Sequence, residues 1–244
     1  MTERKRLVPV SDAEPALWLA SALEKPWGRG GNANCAAAVI PRGFAAYARL
    51  FHPAYLAGEG RDITWAETAA RAGTRPYARM QWHAISRAGD AGGQLRGLVS
   101  PDMGRMPAWM LEALVGLLER HTRTPARCFF AVWDGWGLPE LATLRGRTAH
   151  FRLWDRGYCL MKGDIRAALE RLSPLSPQHA SIWWPEDRAW CVATEVDMMW
   201  TYVGGSEGCI GEILADPRLE AWRASPDDRA DANGDEVNAP RCSC

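Results

Sequence analysis

Residues 181–206 read SIWWPEDRAWCVATEVDMMWTYVGGS, and the parsing of that stretch decides the fold. Residues 181–184 are apolar and β-prone, and Pro185 holds Trp184 extended as it opens a turn. Residues 189–197 return as a second strand, so a β-hairpin is predicted. On the return strand Trp190, Val192, Thr194 and Val196 share one face, while Ala189, Cys191, Ala193, Glu195 and Asp197 share the other. Glu195 and Asp197 then stand roughly 6.5–7 Å apart, at ~3.3–3.4 Å of rise per residue. Gly204-Gly205 leads to Ser206, which caps a helix to about Ala215 that Asp216-Pro217 stops.

Outward from the hairpin, residues 218–222 suggest a last short strand, and the Asp-, Pro- and Gly-rich chain from Ser225 reads as a disordered tail. Before the hairpin, residues 127–133 (RCFFAVW) form a buried strand ended by Asp134-Gly135-Trp136-Gly137. Residues 149–154 and 158–161 flank Asp155-Arg156-Gly157 as a second hairpin, and Asp164 caps a helix to about residue 172. The clearest helical pattern is 107–122, with Met110, Leu111, Leu114, Leu117, Leu118 and His121 on one face and Pro107 in the first turn. Ser11-Asp12-Ala13-Glu14 and Thr64-Trp65-Ala66-Glu67 are capping boxes, the second opening a helix that Gly73 closes. Residues 35–40 and 44–51 read as a hairpin across Pro41-Arg42-Gly43, 77–86 as a short helix, and 58–62 and 90–93 as loops. Helices mixed with antiparallel hairpins predict an α+β fold with about five helices. It would be one domain over 1–223, with any division near 90–105, and an acidic tail over 224–244.

Composition narrows the function classes. The chain has 244 residues, 47% hydrophobic and 24% charged, enough for a sizeable core. No apolar run approaches a membrane span, and no secretory h-region follows the basic N-terminus, so a cytoplasmic protein is expected. Net charge is zero, and only Lys5, Lys25 and Lys162 among the 29 basic residues are lysine, a bias of high-GC coding. No basic run carries interleaved aromatics, which makes nucleic acid a poor partner. The seven cysteines form no CxxC pair, and the five histidines show no HxH or HExxH spacing, so neither a metal nor another cofactor is predicted. Cys242 and Cys244 lie in the polar tail. The glycine-rich segment 27–32 lacks phosphate-loop spacing and reads as a connection.

Chemistry, if any, concentrates around the hairpin. Glu195 and Asp197 suit a divalent cation, an arginine, or an acid–base pair, or are simply the wet end of a strand. Asp134 is either a strand-end acid or a turn former. Trp183 and Trp184 are adjacent and face opposite sides, so either one of them is open to a ligand or partner, or both faces are covered and both fill cores, the reading that large aromatics favour. Arg188, Tyr202 and Ser206 complete the candidate binding set, Ser206 through helix N–H groups that could receive an anion.

The run Trp184-Pro185-Glu186-Asp187-Arg188-Ala189-Trp190-Cys191-Val192-Ala193-Thr194-Glu195-Val196-Asp197, with Thr201-Tyr202-Val203-Gly204-Gly205-Ser206 and Ala215-Asp216-Pro217-Arg218-Leu219-Glu220, resembles a family of uncharacterised proteins from high-GC bacteria. With 41–53 and 129–137 the resemblance would span most of residues 10–222, departing from it at Met198-Met199-Trp200 and in the Cys-ending tail. It implies neither a fold nor a reaction. The residues themselves favour a non-enzymatic binding or regulatory module with a protein partner. The alternatives are a metal-assisted hydrolase using Glu195, Asp197 and Asp134, or a small-molecule binder with a tryptophan platform.

Overall fold

A computed structural model describes residues 7–25, 35–87, 95–173 and 177–238. The glycine-rich connection at 27–32, the loop at 90–93 and the last six residues, Cys242 and Cys244 included, lie outside them. The class is α+β, with six α-helices and twelve strands in two antiparallel sheets among the described residues.

In chain order the elements are β1 (Val8–Pro9), α1 (Leu17–Ala22), β2 (Ala46–Phe51), β3 (Ala54–Leu56), β4 (Arg61–Ile63), α2 (Trp65–Ala72) and α3 (Trp82–Ser86). Then come β5 (Leu98–Val99), α4 (Ala108–Leu118), β6 (Cys128–Trp133), α5 (Pro139–Arg145), β7 (His150–Leu153) and β8 (Arg156–Gly163). The last are β9 (Ile182–Pro185), β10 (Cys191–Ala193), β11 (Trp200–Gly205), α6 (Glu207–Ala215) and β12 (Ala221–Ala224). The main sheet runs β1-β8-β6-β9-β10-β11-β2-β12, with β7 also on β8, and β4-β3-β5 form a small second sheet.

Helix starts follow local chemistry. Thr64 accepts the Glu67 N–H and Gly73 closes α2 in the left-handed region, Asp164 accepts the Ala167 N–H, and Ser206 accepts the Cys209 N–H at the start of α6. The helix from Asp164 is a short 3-10 turn, Ile165–Leu169. Ser11 caps nothing; Asp12 accepts the Glu14 N–H instead, and α1 begins after a 3-10 turn.

The sheet divides two cores. One face packs α4, α5 and α6 with Phe130, Trp183, Trp190 and Val203; the other packs α1, α2 and the small sheet with Ala131, Trp184, Cys191 and Tyr202. Both faces are covered, so of the two readings core packing is the one observed and neither Trp183 nor Trp184 is open as a platform: each is 1% exposed. Each ring removes up to roughly 4–6 kcal/mol worth of apolar surface from water.

Three expectations are corrected. Residues 35–40 are not a strand: an alanine run too small to fill a sheet face forms a 3-10 turn, Ala36–Ala38. β2 therefore has no hairpin partner there and pairs with β11 and β12 instead. Gly204 and Gly205 are not a helix-entry loop but ladder residues of β11, where a Cβ on Gly204 would stand 2.5 Å from the Phe44 ring. The chain from Ser225 to Asn238 is not disordered. Asp235 is buried and accepts from the Tyr77 hydroxyl at 2.9 Å and the Gln81 N–H at 3.1 Å, and Ala230 packs into the second core.

Candidate functional site

The return strand ends at Ala193, so the alternation expected at Glu195 and Asp197 does not exist. Residues 194–199 instead make a turn, in which the Met198 N–H bonds to the Glu195 carbonyl and the Asp197 N–H to Glu195 Oε2 at 2.6 Å. The two carboxylates still converge, because Nη2 of Arg156, the first residue of β8, lies 2.6 Å from Glu195 Oε1 and 2.6 Å from Asp197 Oδ2. Gly104 braces this turn: its N–H bonds to the Met198 carbonyl, and a Cβ there would stand 2.7 Å from the Val196 carbonyl oxygen.

Glu195 is mostly buried, whereas Asp197 is 77% exposed. Burial pushes the Glu195 carboxyl up, and the Asp197 N–H and Arg156 pull it part of the way back. Burial works against the Arg156 cation, and the charges of Glu195 and Asp197 outweigh it and raise its pKa. The guanidinium also lies over Trp133, 5.1 Å from the ring centroid.

This pair forms the polar end of a cavity of about 370 Å³. Its walls include Trp133, Trp154, Tyr158, Ile182 and Met198, with Leu23, Val39 and Ala230 also in the lining. The floor is the sheet face around Ala193, whose small side chain leaves the space open. Trp154 occupies the two-residue turn between β7 and β8 at φ 55, a strained conformation for a bulky side chain. Its indole N–H is buried and has no partner among the described residues. Tyr158 is 6% exposed and its hydroxyl makes no hydrogen bond to any described residue, while burial pushes its pKa up.

The remaining predicted residues go elsewhere. Asp134, in a 3-10 turn after β6, holds His150 Nε2 at 2.7 Å and Arg145 at 3.2 Å in an open groove on the outer side of Trp133. Its glycine neighbour is required by space, since a Cβ on Gly135 would strike the Trp133 ring. Arg188 sits at φ 52 in the β9–β10 turn, stacked 5.2 Å from the Trp18 ring, at the opposite end of β10 from Glu195. Tyr202 is fully buried beside Arg49, and Ser206 is an ordinary helix cap. Among the described residues no three His, Cys, Asp or Glu side chains come together as a metal cluster, and no helix is long and apolar enough to cross a membrane.

Arg156, Trp154 and Tyr158 were missed as site residues. The signal available in sequence was a tryptophan in a two-residue hairpin turn, where Asn or Gly is usual. No protein-family model matches the chain, and neither a curated protein nor a solved structure does.

Proposed function

We propose that this protein is a binding module without a reaction of its own, and that its ligand is a small, largely apolar molecule held between Trp133, Trp154 and Tyr158. The observation that carries this reading is the cavity itself. Its volume falls within the range of small-molecule sites, and its apolar walls converge on a few polar groups. The aromatic platform lies on these residues and not on Trp183 or Trp184, which fill the two cores. A metal-assisted hydrolase is less well supported, because Glu195 and Asp197 already share a cation, Arg156. A cytoplasmic setting fits the five buried thiols, none of them in a disulfide.

A panel of small aromatic and aliphatic compounds, read by thermal shift, tests the proposal. A true ligand raises Tm progressively as its concentration exceeds Kd. Enlarging Ala193 to Leu, which fills the floor, should abolish that response while the variant stays folded. A panel with no responder, or responses unchanged by the filled floor, would count decisively against it.

A second reading, a protein partner, is favoured by the small sheet. Tyr55 and Val99 are direct register partners there and are 43% and 53% exposed, an apolar pair open to solvent. Replacing both by Ser should leave ligand responses intact and eliminate any stoichiometric partner recovered with the native chain.

A further inference from the structure

The unpaired groups of the cavity define the chemistry of its occupant. Both ion pairs of Arg156 run through Nη2, and its Nε and Nη1 make no hydrogen bond to a described residue. The Trp154 indole N–H is buried with no partner among the described residues, the Tyr158 hydroxyl makes no hydrogen bond to any of them, and both residues line the cavity. The inner acceptors are occupied: both Glu195 oxygens are bonded, and the Thr194 hydroxyl is shared with Thr201. The buried indole N–H of Trp154 is thus left without an acceptor, and a donor left in that state is costly.

Charge narrows the choice further. Among the described residues Arg156 is the single cation lining the cavity, against Glu195 and Asp155 in the lining and Asp197 just outside it. A carboxylate or phosphate would meet this acidic surround with no free countercharge. An ammonium would leave the indole and phenol donors unmatched. What remains is a neutral molecule with an acceptor oxygen at one end and a flat apolar body.

We infer that the cavity binds an uncharged, planar carbonyl compound, an aryl ketone, quinone or lactone, whose oxygen accepts from Tyr158 and Trp154 while its rings lie against Trp133. The inference rests on the cavity being a binding site and specifies its ligand class.

Calorimetric titration of the intact chain with four matched probes tests it: naphthalene, acetylnaphthalene, naphthoate and naphthylmethylammonium. Acetylnaphthalene should bind tightest, with the two charged probes about tenfold weaker or more. Tyr158→Phe should weaken acetylnaphthalene about three- to tenfold, the worth of a neutral hydrogen bond, and leave naphthalene unchanged. Thermal unfolding of the variant confirms that it is folded. If naphthoate or the ammonium binds best, or Tyr158→Phe affects ketone and hydrocarbon alike, the ligand class is overturned while the binding site stands. If none of the four binds, both fall.

Discussion

Glu220 shows how much one side chain can hold in this fold. Its carboxylate accepts the Trp65 and Ala66 N–H groups at 2.6 and 2.7 Å, closing the start of α2, and its backbone carbonyl accepts from Phe51 in β2. Burial pushes its pKa from 4.5 to about 7, against the pull of those two N–H bonds. An acid whose folded pKa lies above its unfolded value binds its proton more tightly when folded. Its contribution to stability is thus complete below about pH 4.5 and is lost as pH rises through 7. Between pH 5 and 8 the unfolding free energy should fall by roughly 1–3 kcal/mol, and Glu220→Gln should flatten that slope in denaturant titrations. Arg49 is the opposite case, a fully buried cation with Nε and Nη2 unpaired, lying 3.8 Å from the Trp200 ring centroid. Arg49→Met keeps the volume and removes the buried charge, so it should be neutral or stabilising by up to about 3 kcal/mol. Arg49→Ala leaves a void and should cost about 2–4 kcal/mol. A Met variant that unfolds more easily than the Ala variant would show that the charge itself holds the cage together.

At the scale of elements, the turn at 194–199 is held from outside by Gly104, at φ +68 against the Val196 backbone. Gly104→Ala combines a disfavoured φ with a backbone collision and should cost about 2–4 kcal/mol, displacing Glu195 and weakening ligand binding beyond the loss of stability. If stability falls but the affinity of the folded fraction is unchanged, the turn is not set by Gly104. What could be read from sequence divides along the same line. Caps at Thr64, Asp164 and Ser206, the helix after Pro107 and the hairpin around Asp155 were legible because each is decided within a few residues. β11 was not, since Gly204-Gly205 signals a loop locally and becomes strand only through β2, some 150 residues earlier. The site was half legible: Glu195 and Asp197 were found for a geometry the chain does not have. Arg156 joins them through tertiary packing alone.

For the whole molecule, the main sheet is a partition and β9 is its anchor, with Trp183 and Trp184 bolted into opposite cores. Trp183→Phe and Trp184→Phe should each cost about 1–2 kcal/mol and add within about 0.5 kcal/mol, because neighbours on opposite faces share no packing. A larger coupling energy in the double-mutant cycle would mean that the two cores respond as one. The sheet also sets an order of events. β2 is buried along its whole length, and both its neighbours, β11 and β12, lie far towards the C-terminus. At a translation rate of ~5–20 residues per second, that apolar strand leaves the ribosome roughly 8–30 s before anything can cover its two edges. β2 thus has a marked need of a chaperone, and its edges become safe from aggregation only once β11 and β12 have been made.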